Sequence, residues 1–304
     1  MVSTLDEKIF ASYFPLIPRA APSPDGTPHP ELQERCFPQK EGRFQTSKEF
    51  LMKLLIPLAS LCCVAVLAFF SPPLHAGERW GFDLGLGGSV TSSEYKDVYA
   101  AGATLPLLGY EGDRFYLRGI SGGLHLFRND RHEINAQLSY LPQRYLASWS
   151  GDEAMKQLDD RYSSMLAGLN YRFLSPYGIL QATVSADILG YSNGVIARAS
   201  YSYPLTLGRV TLLPSAGLTW TSCEYNRYYY GIQSDESRAS GLSEYHPGSA
   251  LSPNAGLAAR VGLSENWSLF ANGNLEFLNQ EIYDSPMVEN AVKLSLGAGL
   301  LYRF

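Results

Sequence analysis

The sequence predicts an all-β protein, a transmembrane antiparallel up-and-down β-barrel of twelve strands, with ten strands as the alternative. The first observation is the last stretch of the chain, residues 293–304, where apolar side chains occupy every second position and small or charged residues lie between them. Such alternation gives a strand one apolar and one polar face. The second observation is that the same pattern recurs in short segments from residue 80 onward.

The composition agrees with a barrel and excludes other classes. The 304 residues include 28 glycines, 20 tyrosines and 14 phenylalanines, and 17% of them are charged, with a mean hydropathy of −0.10. A helical membrane protein would need apolar runs of roughly 20 residues, and only one apolar run is present, at residues 54–70. The net charge of −5 and the lack of a basic cluster argue against a nucleic-acid partner.

The amino-terminal part of the chain is predicted to direct export rather than to form part of the fold. Residues 52–76 begin with Met52 and Lys53, continue through the apolar run and end on small residues at Ala76, as a secretory signal peptide does. Residues 1–51 are proline-rich and carry no periodic pattern, and we expect them to be an upstream extension that is not translated. The outer-membrane β-barrel is then predicted to span residues 77–304.

Eleven alternating segments can be read directly along that barrel, and the third contains a change of register. In it the outward positions are odd at Phe115 and Leu117 but even at Leu124 and Leu126, which indicates a bulge or a tight turn near residues 121–123. Single-chain bacterial barrels have an even strand number, so a twelfth strand is predicted there. The predicted segments are 80–90, 98–110, 115–127, 134–140, 165–173, 180–188, 195–205, 210–221, 255–263, 267–277 and 293–304.

Short turns alternate with longer insertions between these strands, as expected when one barrel end is periplasmic and the other faces outward. Residues 143–161, 222–252 and 280–290 are the long insertions, predicted to lie outside the cell. The short turns, which include Asn129 and Asp130 and the pair Glu265 and Asn266, are predicted to be periplasmic. The ending formed by Leu300, Tyr302 and Phe304 resembles the assembly signal of bacterial outer-membrane barrels. It implies contact with the barrel assembly machinery, with membrane lipid and with lipopolysaccharide.

Two sets of residues are candidates for function. Eight charged residues fall on the predicted inward face, and we interpret them either as paired charges that plug the lumen or as the lining of a narrow solute path. They are Asp83, Glu133, Arg172, Asp187, Arg198, Arg260, Glu276 and Lys293. An aromatic stretch in the longest insertion is read either as a binding loop or as an interfacial belt. Its residues are Tyr225, Tyr228, Tyr229 and Tyr230, with Tyr245 and His246 close by.

No catalytic, cofactor or metal site is predicted. His125 and His132 flank a polar turn, and His246 lies beside Ser243 and Glu244, too close in sequence for the usual nucleophile, base and orienting group. No metal-ligand spacing occurs either. The sequence therefore favours a protein that is not an enzyme.

From Trp80 to Phe304 the chain resembles the MipA/OmpV family of outer-membrane proteins. The stretches that carry the resemblance are YYGI at 229–232, residues 240–248, WSLF at 267–270, DSPMV at 284–288 and the final 297–304. The resemblance implies a non-catalytic scaffold that links a murein lytic transglycosylase with a murein synthase. The loop lengths favour a surface-loop binder or adhesin as the alternative, and the charged lumen a narrow solute channel.

Overall fold

The computed structural model describes residues 81–304, so the predicted signal peptide and the stretch before it lie outside the described residues. Thirteen strand segments form one antiparallel sheet that closes on itself. Two of these segments, Val195–Ser202 and Leu205–Leu207, pair with the same neighbour in one unbroken register. They are one strand interrupted at Tyr203 and Pro204, since proline lacks the N–H that a ladder needs. The barrel therefore has twelve strands, as predicted.

The strands, numbered along the chain, have the following bounds. They are β1 (Gly81–Thr91), β2 (Ala101–Glu111), β3 (Phe115–Arg118), β4 (Ser121–Arg128), β5 (His132–Leu141), β6 (Ser164–Ser175), β7 (Gly178–Asp187), β8 (Val195–Ser202 with Leu205–Leu207), β9 (Val210–Thr221), β10 (Ala250–Gly262), β11 (Trp267–Phe277) and β12 (Val292–Arg303). Each pairs with the next, and β12 returns to pair with β1 from Asp83–Arg303 to Thr91–Ser295. Closure leaves no end strand without a partner.

The change of register predicted near residues 121–123 is a tight turn just before them. Gly119 and Ile120 join β3 to β4, and Gly119 has a φ of 63°, a left-handed conformation that glycine adopts without strain. A true bulge also exists, slightly later, between His125 and Phe127. The two segments on either side of the turn are the strands that one predicted segment had merged.

Alternation along the strands places apolar side chains outside and polar ones inside. On β1, Phe82, Leu84 and Leu86 are exposed while Asp83 between them is half-buried. The exposed aliphatic and aromatic side chains recur on every strand and form the band that a bilayer would cover. Of the helices in residues 81–304, none is long and apolar enough to span a membrane.

The long insertions lie together at one end of the barrel, which is predicted to be the outer end, and they are folded. They contain α1 (Cys223–Tyr230), α2 (Ser234–Ser240), α3 (Gln280–Tyr283) and two 3-10 turns, Ala147–Trp149 and Met155–Gln157. The helix α1 begins at Ser222, whose hydroxyl accepts the Tyr225 N–H, and α2 begins with a reciprocal capping box between Gln233 and Glu236. Such caps satisfy helix-end N–H groups that have no partner within the helix.

Candidate functional site

The outer end of the barrel is closed by a cap that the insertions build together. We use the name outer cap for residues 92–100, 142–163, 222–249 and 278–291. Its core is a cluster of buried apolar and aromatic side chains drawn from every one of these segments and from the strand ends beneath them. Tyr95, Tyr145, Met155, Tyr229, Ile232 and Met287 are each at most 2% exposed. A folded cap of this kind differs from a set of free surface loops.

The predicted tyrosine loop divides between the core and the surface of this cap. Tyr225, Tyr229 and Tyr230 are buried, and Tyr229 and Tyr230 help to hold the cap together. The Tyr229 hydroxyl donates to the Tyr162 carbonyl at 2.9 Å, and its own carbonyl accepts from the Tyr95 hydroxyl at 3.2 Å. Burial raises the pKa of the Tyr229 hydroxyl, so it stays protonated. These three side chains are therefore not part of the outer surface of the cap, and Tyr225 and Tyr230 line the cavity beneath it.

The remaining members of that loop lie nearer the surface. Tyr228 is half-buried, and its hydroxyl accepts from the Tyr162 N–H at 2.9 Å. Tyr245 is also half-buried; burial first, and the nearby Glu281 and Asp284 carboxylates second, raise its pKa to about 12. His246 is exposed and lies 3.9 Å from the Glu244 carboxylate. Of the predicted binding loop, these three residues are the ones that the solvent can reach.

Beneath the cap, a buried polar cluster joins the insertions to the barrel wall. The Glu94 carboxylate accepts from Gln143 Nε2 at 2.5 Å and from the Tyr230 hydroxyl at 3.1 Å, and the Lys293 ammonium lies 3.3 Å away. Burial opposes ionisation of Glu94, but Lys293 and these hydrogen bonds outweigh it and hold the pKa of Glu94 below its ordinary value. Lys293, one of the predicted lumen charges, therefore anchors the cap.

A second polar cluster fills the lumen toward the periplasmic end. The buried Glu133 carboxylate accepts from Arg118 at 2.9 Å and from Arg172 at 3.0 Å, and the Asn135 amide donates to it at 2.8 Å. Arg118 also reaches Glu111 through two nitrogens, at 2.9 and 3.0 Å. Glu133 and Arg172 were predicted from their alternation, but Arg118 and Glu111 were not: Arg118 lies on β3, which is too short to show a pattern, and Glu111 ends β2 one residue beyond the predicted segment.

The other predicted lumen charges lie apart from this cluster. Asp83 pairs with Arg303 at 2.8 Å near the periplasmic rim. Asp187 lies at the outer end of β7, where its carboxylate accepts four backbone N–H groups of the following turn, those of Leu189, Gly190, Ser192 and Asn193. It thus orders a turn. The remaining three are half-buried side chains on the inner face of the wall: Arg198, Arg260 and Glu276.

A cavity of about 380 Å³ lies between the two polar clusters. Its lining includes hydroxyl and amide groups, for example those of Gln137, Asn170 and Thr183. Five basic side chains and two acidic ones also border it, namely Arg118, Arg144, Arg172, Arg198 and Lys293 against Glu94 and Glu276. Glu111 and Glu133, which bind Arg118 and Arg172, bring the acidic side chains to four against five basic ones, so the cavity has mixed polar and apolar walls and a small excess of positive charge.

The histidines of the described residues contact carboxylate, amide and phenol groups. His125 is held between the Glu111 and Glu133 carboxylates at 3.3 and 3.6 Å, and its Nδ1 lies 2.7 Å from the Asn135 side chain. His132 contacts the Tyr171 hydroxyl at 2.9 Å. Within residues 81–304 no hydrogen bond joins either of them to a serine, threonine or cysteine, and no group of three or more acidic, histidine or cysteine side chains is arranged to hold a metal.

The periplasmic rim differs from the outer cap. Its turns are short, and the side chains of Asp130, Arg131, Tyr177, Arg209 and Glu265 are exposed there. Tyr177 is 81% exposed. Basic, acidic and aromatic side chains thus project together from the ring of turns.

A comparison with known proteins identifies the family. Residues 84–304 match the family model described as MltA-interacting protein MipA. The chain belongs to this family. It is 36% identical to the MltA-interacting protein of Escherichia coli K12 over 73% of this chain and 90% of that protein, and 28% identical to the outer membrane protein OmpV of Vibrio cholerae over 76% and 88%. A solved outer membrane channel from Pseudomonas putida F1 is similar at 15% identity and a TM-score of 0.39, covering 77% of this chain and all of that one.

Membership of the MltA-interacting protein family agrees with the barrel. Relatives across the family carry names of outer membrane proteins from Gram-negative bacteria. The apolar band of this chain and its polar lumen are the features that such a location requires. The protein is therefore an outer-membrane barrel of a Gram-negative bacterium.

Proposed function

We propose that this barrel is a non-catalytic scaffold whose periplasmic turns hold a murein lytic transglycosylase and, with it, a murein synthase. The observation that carries the proposal is the contrast between the two ends. Five of the eleven tyrosine and tryptophan side chains of the outer cap are buried in its shared core, whereas the side chains that project from the short periplasmic turns, charged and aromatic alike, are exposed. The name of the Escherichia coli relative, MltA-interacting protein, supports a transglycosylase as the partner.

The size of the turns decides how a partner would bind. A stable interface buries roughly 800 Å² on each partner, which is more than one two-residue turn offers. The partner therefore sits across several turns of the rim. Within such an interface a few aromatic and arginine side chains carry most of the binding free energy, and Tyr177 and Arg131 are side chains of these types. Both are exposed.

The non-catalytic part of the proposal is supported by the environment of the histidines. His125 is enclosed by carboxylates and an amide, and the ring of His132 lies against Phe173 with centroids 5.1 Å apart. A histidine in such surroundings has no substrate hydroxyl or nucleophile from which to take a proton. The exposed His246 lies beside Glu244 in a cap that otherwise has a structural core.

The experiment compares a rim variant with a cap variant. The rim variant combines Arg131→Glu, Tyr177→Ser and Glu265→Lys, none of whose side chains makes a structural hydrogen bond among the described residues. The cap variant combines Glu244→Lys with His246→Ser. Each full-length protein is extracted in mild detergent and tested for co-purification with a murein lytic transglycosylase. We expect the rim variant to recover at least about tenfold less enzyme, equivalent to ~1.4 kcal/mol, and the cap variant to match the natural protein.

The opposite result would favour a surface binder. If the cap variant loses the enzyme while the rim variant keeps it, the partner uses the outer face. Shortening residues 222–252 is a poorer test, because Tyr225, Tyr229 and Tyr230 belong to the core of the cap and their removal would unfold it. The surface substitutions avoid that difficulty.

A further inference from the structure

The barrel wall is incomplete beside the outer half of β2. Along one edge, β2 pairs with β1 over its whole length, from Ala101 to Glu111. Along its other edge it pairs with β3 only at residues 109–111, because β3 has four residues and then turns. The Gly119 N–H in that turn donates to the Leu108 carbonyl. Beyond this bond, toward Ala101, no described residue pairs with this second edge of β2. A length of about seven residues, or roughly 23 Å, is left open.

The opening has a closed frame, which makes it a window. The β3–β4 turn with Ile120 forms its lower border, and the Ile120 carbonyl accepts from the Tyr140 N–H of β5 on the far side. Across the top, residues 145–152 run from β5 back toward β2. They are tied to the residues before β2 by the Gly151 N–H to Asp97 carbonyl bond and by the Lys96–Asp152 ion pair. We call this opening the lateral window.

The backbone of β2 along the window suits a strand edge that has no partner strand. Leu108 directs its carbonyl toward β3, and residues two apart in a strand direct their polar groups to the same side. Gly102, Thr104 and Pro106 therefore direct their backbone polar groups into the window. Pro106 has no N–H, and proline in a sheet is confined to positions where no partner strand accepts a bond. A sequence built to close the wall here would not place a proline at this position.

The window leads into the lumen cavity. The residues that line the cavity include inward-facing ones, such as Gln137 and Thr183, and also residues of the window frame. Tyr99, Ile120, Tyr140 and Trp149 belong to the frame and line the same cavity. Tyr99 is 89% exposed, and the Arg144 guanidinium lies 4.4 Å from the centre of the Trp149 ring. The frame is thus largely aromatic, while arginines, hydroxyl groups and amides border the cavity behind it.

We propose that the lateral window admits a small anionic amphiphile from the outer leaflet into the lumen cavity. The aromatic frame suits an apolar body, and the arginines that border the cavity, among them Arg144 and Arg198, suit a carboxylate or phosphate head. The outer cap obstructs the route from outside the cell into the lumen, so the lateral window is the open route to the cavity. At about 380 Å³ the cavity holds a single-chain acid but not a two-chain phospholipid. This passage is independent of the periplasmic rim.

The first test measures the charge preference of the cavity. The probe is 11-(dansylamino)undecanoic acid, titrated into the full-length barrel in phosphatidylcholine vesicles, with its uncharged methyl ester as the comparison. We expect Arg198→Gln to weaken binding of the acid about tenfold, the effect of one lost charge-assisted hydrogen bond, and to leave the ester unchanged. Arg260→Gln is the matched control, because Arg260 is on the inner face but does not line the cavity.

The second test closes the window. Seven residues are added to β3 and seven to β4, on either side of Gly119 and Ile120, so that the longer hairpin pairs with the whole open edge of β2. The control inserts fourteen residues at Gly208 and Arg209, in a periplasmic turn. We expect the longer hairpin to abolish binding of the acid, while the control binds normally and both migrate as folded barrels on unheated gels.

Three results would overturn the proposal. These are equal loss of acid and ester binding in Arg198→Gln, full binding of the acid by a folded barrel with the longer hairpin, or displacement of the acid by phosphatidylglycerol added to the vesicles. The last would assign the site to a membrane lipid. We expect binding of the acid to be lost in the hairpin variant but kept in its insertion control, and to resist displacement by phosphatidylglycerol.

Discussion

At the residue scale, the lumen is organised around shared carboxylates rather than isolated pairs. Glu133 serves both Arg118 and Arg172, and Glu94 serves Gln143, Tyr230 and Lys293. Each carboxylate connects groups from different segments of the chain. Removing one therefore leaves several buried donors without an acceptor, which costs more than breaking an exposed ion pair.

Glu133→Gln provides a direct measure of that cost. The change keeps the shape of the side chain but leaves Arg118 and Arg172 in the lumen without their common negative charge. We expect a destabilisation of about 3–5 kcal/mol, measured from urea unfolding of the barrel in detergent. The control is Glu153→Gln, which breaks the exposed Lys156–Glu153 pair and should change stability little. Equal effects of the two changes would contradict this account of the lumen.

The Glu94 cluster predicts a pH dependence of the outer cap. The pKa of Glu94 is below its ordinary value of 4.5, with burial opposed and outweighed by Lys293 and by hydrogen bonds. A depressed carboxyl pKa contributes stability that is fully present above the unfolded value and is lost as the pH falls through the folded one. Acidification below about 4.5 should therefore loosen the cap, seen as faster protease cleavage in residues 222–249. The Glu94→Gln protein should be cleaved readily at pH 7, and its rate of cleavage should no longer depend on pH. A rate at pH 7 equal to that of the natural protein would contradict this role of the Glu94 cluster.

At the element scale, the strands could be predicted because alternate side chains of a barrel strand face the apolar membrane and the polar lumen. The sequence of each strand therefore alternates between apolar and polar residues. The segment 267–277 was predicted with the bounds that β11 has. The β3–β4 hairpin could be inferred only as a register change, since four residues are too few to show alternation. The outer cap could not be predicted at all: its core joins Tyr95, Met155, Tyr229 and Met287 from four distant segments, and no local pattern records such contacts.

The last strand gives the element-scale prediction. The ring of Phe304 lies 5.5 Å from that of Phe82 on β1 and 4.8 Å from that of Tyr302, which in turn lies 5.0 Å from Trp267 on β11. This aromatic cluster spans the three strands around the closure of the barrel. Phe304→Asp should lower the amount of folded barrel in outer-membrane fractions severalfold, read from heat-modifiable migration on gels. Phe115→Asp, on an exposed residue outside the cluster, is the comparison, and an equal loss from both would show that any charge on the band has this effect.

At the scale of the whole molecule, the barrel separates three environments. The outer end is covered by a folded cap, the lumen holds a polar cavity that the lateral window connects to the side, and the periplasmic end is a ring of short exposed turns. The lengths of the loops in the sequence predict which end faces outside the cell, and that orientation stays a prediction. The sequence did not predict that the long insertions fold on one another, and this contact among them favours the rim over the loops as the partner-binding side.

The central claim is that the partner-binding side is periplasmic, and site-specific photo-crosslinking in intact cells tests it most directly. A photoreactive amino acid replaces Tyr177 at the rim in one strain and His246 on the cap in another; both positions are exposed. The account predicts that Tyr177 gives an adduct containing a murein lytic transglycosylase and that His246 gives none. An adduct with that enzyme from His246, and none from Tyr177, would contradict it.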